Sequence, residues 1–199
     1  MFRSVEHARV ARVRMRTRRG GVNRIIVWQG RAAQEEQGVS VRAKQKWDIG
    51  SVFLLPLEDG DSCVGQVIGR ESHVLNSAVI ALFDLKGAWA GGDIPPLGLD
   101  ALFSALFVTR DLLDSGRWKV VDLRETGGVV DAAPYEALRR SGFIGAKIRG
   151  SGIVEEFANA FYGLAPWDDW YVPDYLDAFL ISADRKPTDR LVYSGRHSM

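Results

Sequence analysis

The chain of 199 residues holds one cysteine, Cys63, so no internal disulfide can form. That fits a reducing compartment, or a protein indifferent to oxidation. A lone thiol can act as a nucleophile, but only with a base beside it. The three histidines, His7, His73 and His197, show no link to Cys63 and no zinc spacing. Cys63 therefore reads as a small residue on a strand. No apolar run approaches the ~20 residues that a membrane span requires. The basic N-terminus has no apolar stretch after it, so neither a secretory leader nor a membrane partner is expected. A cytoplasmic protein is the expectation.

Lys and Arg are also missing from one long stretch. Between Gly150 and Ala183 there is neither, over 34 residues. The same stretch carries Glu155, Glu156, Asp168, Asp169, Asp174 and Asp177, interleaved with Phe157, Phe161, Tyr162, Trp167, Trp170, Tyr171, Tyr175 and Phe179. A bland account is core aromatics among solvated acids. A sharper one is an acidic surface with aromatic anchors, since Trp and Tyr dominate interface energetics and acidic potential steers basic partners.

The opposite charge gathers at the other end. Residues 1–46 hold 12 Lys/Arg against 3 Asp/Glu, and residues 47–199 hold 14 against 22. The whole chain nets only +1. Arg12, Arg14, Arg16, Arg18 and Arg19 lie too close together to form a buried face, and such a block self-repels. Residues 1–46 are thus expected to be a disordered, basic extension, with Ile25–Trp28 the one segment able to pack on a core. Residues 47–199 are expected to form a single domain, long enough to be stable without disulfide or metal.

Within that domain, strands come first. Val52, Phe53, Leu54 and Leu55 form one arm of a hairpin, Asp59-Gly60 its turn, and Val64, Val67 and Ile68 the other arm. Gly65 and Gly69 mark a bulge or a close backbone approach. Strands are predicted at 51–57, 63–70, 76–84, 102–110, 118–121 and 143–149, with Trp118 facing inward. Residues 87–100 contain four Gly and two Pro and read as a loop. Residues 124–142 are loop-like, with a short helix near Pro134–Arg140. Ser151 is the expected cap of a helix running to Leu164, with Ile153, Phe157, Phe161 and Leu164 as its apolar stripe. A second short helix is expected over Tyr175–Ile181. Strands followed by helices mean α+β: a mostly antiparallel, twisted or barrel-like sheet with two C-terminal helices.

Motifs for chemistry are sparse. Asp168-Asp169 and Asp174 lack the glycine turn and alternating ligands of a calcium loop, so no metal and no cofactor are expected. Gly91-Gly92 and Gly150-Ser-Gly152 do not match a phosphate loop. A hydrolase would need a carboxylate pair, for instance in a cleft beside Trp89 and Trp118, and no motif supports one. No catalytic residues are assigned, and an enzyme is not expected.

Two blocks resemble the immunity protein 26 family of bacterial polymorphic-toxin systems. One is Gly50-Ser-Val-Phe-Leu-Leu-Pro-Leu-Glu-Asp-Gly60 with Val64-Gly-Gln-Val67. The other is Gly150-Ser-Gly-Ile-Val-Glu-Glu-Phe157 with Tyr162–Trp170 and Asp174-Tyr-Leu-Asp177. The resemblance spans residues 47 to 187. It implies a mostly β fold and a cytoplasmic antitoxin that inhibits its cognate toxin, often a nuclease, by binding. The expected toxin-binding residues are Glu155, Glu156, Trp167, Asp168, Asp169, Trp170, Tyr171, Asp174 and Asp177. The alternative is a nucleic-acid-binding β-barrel module holding phosphates with the arginine arm. The acidic balance of residues 47–199 argues against that.

Overall fold

Runs of β-branched and aromatic residues, cut by turn-forming glycines, set the strands. In the computed structural model the described residues are 44–72, 76–89, 93–132 and 135–193. The arginine block, Ile25–Trp28, Gly91-Gly92, Pro134 and the three histidines lie outside them. The strands are β1 (Ser51–Pro56), β2 (Ser62–Glu71), β3 (Ser77–Gly87), β4 (Leu102–Val108), β5 (Lys119–Leu123) and β6 (Ile148–Arg149). The helices are α1 (Asp111–Asp114), α2 (Val129–Ala132), α3 (Tyr135–Arg140) and α4 (Ser151–Phe161). The class is α+β, as the sequence indicates.

The sheet runs β5-β1-β2-β3-β4-β6. All neighbours are antiparallel except β4 and β6, which are parallel. It is open rather than barrel-like, because β5 and β6 are its two edges and do not pair. Gly60 turns the first hairpin at φ +91°, where an L side chain is strained. Leu57 N–H donates to Asp61 O across that turn at 2.9 Å.

The sheet is buried on both faces, which explains why its central strands read as unbroken apolar runs. On β3, Ala78, Ile80 and Leu82 enter one core with Phe157, Trp167 and Phe179. Val79, Ala81 and Phe83 enter a second with Val129 and Tyr135. A third, smaller core joins Val52, Val64 and Ile94. Gly65 has a packing role: a Cβ there would fall 2.3 Å from the Phe53 ring. Phe53, its cross-strand partner, thus lies over bare backbone and stacks on Trp118, with centroids 5.3 Å apart. Gly69 sits at a register shift of β2, so both glycine expectations hold.

Several expectations change. Ser151 is not the cap of α4. Gly150 takes that place in extended conformation, and the Ser151 hydroxyl donates instead to Asp111 at 2.7 Å. The buried stripe of α4 is Val154, Phe157, Ala158 and Ala160, while Ile153 and Phe161 are only half-buried. The strand foreseen at 143–149 shrinks to Ile148–Arg149. Phe143 (φ +63°) and Gly145 (φ +84°) turn the chain away from β4. The helix foreseen at Tyr175–Ile181 is a 3₁₀ turn over Tyr175–Phe179. β4 stops at Val108, because α1 follows.

Residues just before β1 belong to this fold. Gln45 donates its side-chain amide to Leu113 O and Trp118 O at 2.9 and 2.8 Å, and accepts from Val120 N–H at 3.0 Å. The guanidiniums of Arg70 and Arg110 lie over the Trp47 ring, 4.9 and 5.4 Å from its centre. Its indole N–H donates to Asp114 at 2.8 Å.

Candidate functional site

The acidic segment begins on α4, which packs Val154 and Phe157 onto the sheet and leaves Glu155 and Glu156 on its outer side. Glu155 is not a free surface charge. Arg117 grips it through two nitrogens at 2.7 and 2.8 Å, and Trp118 donates to it at 2.9 Å. Glu156 remains exposed. Together with Glu58, Arg117 and Asn159 it lines a shallow polar cleft of about 280 Å³. Asn159 closes the back of that cleft by accepting Glu58 N–H and donating to Glu155 O, both at 2.9 Å.

Beyond α4 the chain passes Pro166 and crosses the core. Trp167 is 1% exposed and packs edge-on against Phe157. This corrects its assignment as a partner-binding anchor: the ring is structural. Its indole N–H donates to Asp177 at 2.8 Å, and Lys186 holds the other oxygen of that carboxylate at 2.8 Å. Burial pulls the Asp177 carboxyl upward. The hydrogen bonds from Lys186 and Trp167 outweigh it and hold the group below the ordinary carboxylate range. Glu155 and Asp177 are therefore tied into the fold, by cations at 117 and 186 that lie outside the Lys/Arg-free stretch.

What remains on the surface is smaller than the sequence pattern suggests. Tyr171 is fully exposed, Val172 is 52% exposed, and Asp169 and Asp174 are exposed beside them. Trp170 is half-buried and tilts against Tyr175, with centroids 4.9 Å apart. Asp168 accepts Tyr193 N–H at 2.6 Å, and Trp167 N–H donates to Leu191 O at 2.9 Å. These bonds lay residues 191–193 alongside 167–168. Leu191, Val192 and Tyr193 are all exposed there. Sequence reasoning missed this strip, because nothing local to 191–193 announces its pairing with a segment some 25 residues earlier. The exposed apolar and aromatic residues of this region are thus Tyr171 and Val172 on one segment and Leu191, Val192 and Tyr193 on the other, with Asp168, Asp169 and Asp174 on the first.

The other candidates resolve as structural. Burial pushes the Cys63 thiol up to about 12. Its neighbours are Phe83 O at 3.5 Å and the Tyr162 hydroxyl at 3.8 Å. A neutral, enclosed thiol with no base is not a nucleophile. Trp89 and Trp118 pack in different cores. Among the described residues no group of His, Cys, Asp and Glu could hold a metal ion. Among them, too, no helix is long and apolar enough to cross a membrane.

No protein-family model matches the chain, and no curated protein or solved structure matches it.

Proposed function

We propose that this chain is a non-enzymatic immunity protein that binds and occludes a cognate toxin domain. The observation that carries the reading is the exposure of Tyr171, Val172, Leu191, Val192 and Tyr193, with Asp168, Asp169 and Asp174 on the first segment. Large apolar and aromatic side chains left exposed on two paired segments favour a protein interaction site here. Apolar and aromatic groups at the centre with charges at the edge are the anatomy of an interface. The aspartates select a basic partner, which suits a toxin that grips nucleic acid through cationic residues. The resemblance of residues 47–187 to immunity protein 26 suggests the kind of partner.

The test is survival on co-expression with the toxin domain encoded beside this chain, paired with surface plasmon resonance. Tyr171→Ala should raise the dissociation rate, by roughly 2 kcal/mol if the ring is a hot spot. Retained protection and unchanged binding in a folded Tyr171→Ala, Val172→Ser double variant would remove this strip from the interface.

A further inference from the structure

Where residues 143–147 peel away from β4, the sheet is left with a gap, and the gap is a small cleft of about 180 Å³. Its floor is apolar: Val79, Phe107, Tyr135 and Leu138. Its rim carries two cations, exposed Lys147 and half-buried Arg149. Neither forms a salt bridge among the described residues, in contrast to Lys44, Lys86, Arg110, Arg117, Arg124 and Lys186. Arg149 is held in place by Phe179, 4.2 Å beneath its guanidinium, and by the Tyr175 hydroxyl at 3.3 Å. Neither contact neutralises it.

The strand edge supplies a third polar feature. Thr109 N–H points away from β3 and donates to Arg149 O at 3.0 Å. Strand alternation turns the peptide groups of Phe107 and Ala105 the same way. β6 covers Phe107, its register partner being Ile148, and goes no further back along β4. Ala105, which lines the cleft, is left facing it, and it is the one residue of β4 that is not buried. Its backbone has no partner on that side among the described residues.

From this geometry we infer that the cleft binds a small carboxylic acid with a short apolar tail. The tail lies on Phe107, Tyr135 and Leu138. The carboxylate accepts from the Ala105 N–H and from Lys147, where charge-assisted hydrogen bonds are strongest, and the charge of Arg149 lies close by. The cavity is smaller than the ~300–1,000 Å³ of drug-sized sites, which limits the ligand to a short chain or a single ring. This inference is independent of the toxin-binding reading and lies on different residues.

The experiment is an NMR titration of the full chain with hexanoate, with neutral hexanamide as its isostere. Hexanoate should saturate with a Kd on the order of 1 mM, set by the ligand's size. Shifts should centre on the amides of residues 105–107 and 147–149. Hexanamide should bind about tenfold more weakly, the worth of one charged hydrogen bond. Lys147→Gln, at an exposed position, should weaken hexanoate by about tenfold without changing the melting temperature. Ala105→Leu should fill the cleft and abolish binding. Equal affinity for the acid and the amide, or shifts scattered away from β4 and β6, would overturn the inference. So would an unaltered Kd in Lys147→Gln. N-acetyl-glycyl-leucine is a further arm, and tighter binding than hexanoate there would reassign the site to a peptide terminus and overturn the free acid.

Discussion

Trp118, just before β5, lies fully buried against Phe53 of β1, which lies in turn over Gly65 of β2, so the three residues share one packing unit. Trp118→Ala should cost about 3–5 kcal/mol in denaturant melts, a large share of the ~5–15 kcal/mol that a domain possesses. A loss below about 1 kcal/mol would mean that the neighbouring chain collapses into the space. Cys63 offers a second single-residue test. A thiol raised to about 12 is protonated at neutral pH and sealed from reagent. The native protein should therefore resist a thiol-modifying disulfide reagent that labels it fully in denaturant, and fast native labelling would show that the β2–β3 region opens. Both residues were legible in the sequence, Trp118 as an inward anchor and Cys63 as an inert strand residue. Trp167 was not. Its neighbours Asp168, Asp169 and Trp170 suggested a surface loop, and only the tertiary bond to Asp177 reveals that the ring turns inward.

At the scale of elements, β5 is an edge strand whose outer side is closed by a side chain instead of a neighbour. The Gln45 amide accepts from Val120 and donates to Trp118, as a peptide group of an adjacent strand would. Exposed edges invite pairing with other chains. Gln45→Ala should cost about 1–3 kcal/mol, because it leaves peptide groups of β5 unpaired. It should also increase concentration-dependent association in sedimentation, and a monodisperse, equally stable variant would refute the role. The same anchor carries a pH dependence. Burial raises the Asp114 carboxyl, but hydrogen bonds from Trp47, Arg110 and Lys44 outweigh it and hold it below its usual value. A depressed carboxylate stabilises the fold above its unfolded pKa, about 3.9 for Asp. That contribution is lost as pH falls through the lower, folded value. Asp114→Asn should flatten the decline in melting temperature below about pH 4, while leaving the neutral-pH protein less stable. The β1–β2 hairpin and β3 were legible because Gly60, Gly65 and Gly69 punctuate unbroken apolar runs. The segment 143–149 misled because Phe143, Ile144 and Ile148 satisfy a strand pattern. What decides it is the left-handed backbone at Phe143 and Gly145, which composition does not report.

For the whole molecule, the charge pattern survives folding only in part. Glu155 and Asp177 are paired with Arg117 and Lys186, from outside the Lys/Arg-free stretch, and the free acids concentrate on Glu156, Asp169 and Asp174. Those ion pairs could not be read from spacing, since Arg117 and Glu155 are 38 positions apart. If Asp169 and Asp174 steer the toxin, an Asp169→Lys, Asp174→Lys variant should slow association most at low ionic strength. The difference should fade near 1 M salt, where screening acts within ~3 Å. A rate constant insensitive to salt in both proteins would place steering elsewhere. The strand order has a consequence in time as well. The four central strands are joined by connections close in sequence, yet β5 must return to β1 across most of the sheet, and α4 with Trp167 and Phe179 comes later still. During synthesis at about 5–20 residues per second, one face of the finished meander stays uncovered for seconds until the last quarter of the chain emerges. The ribosome-bound chain is thus a client for chaperones, and a message cut short near residue 150 would yield a product that is sticky rather than merely inactive.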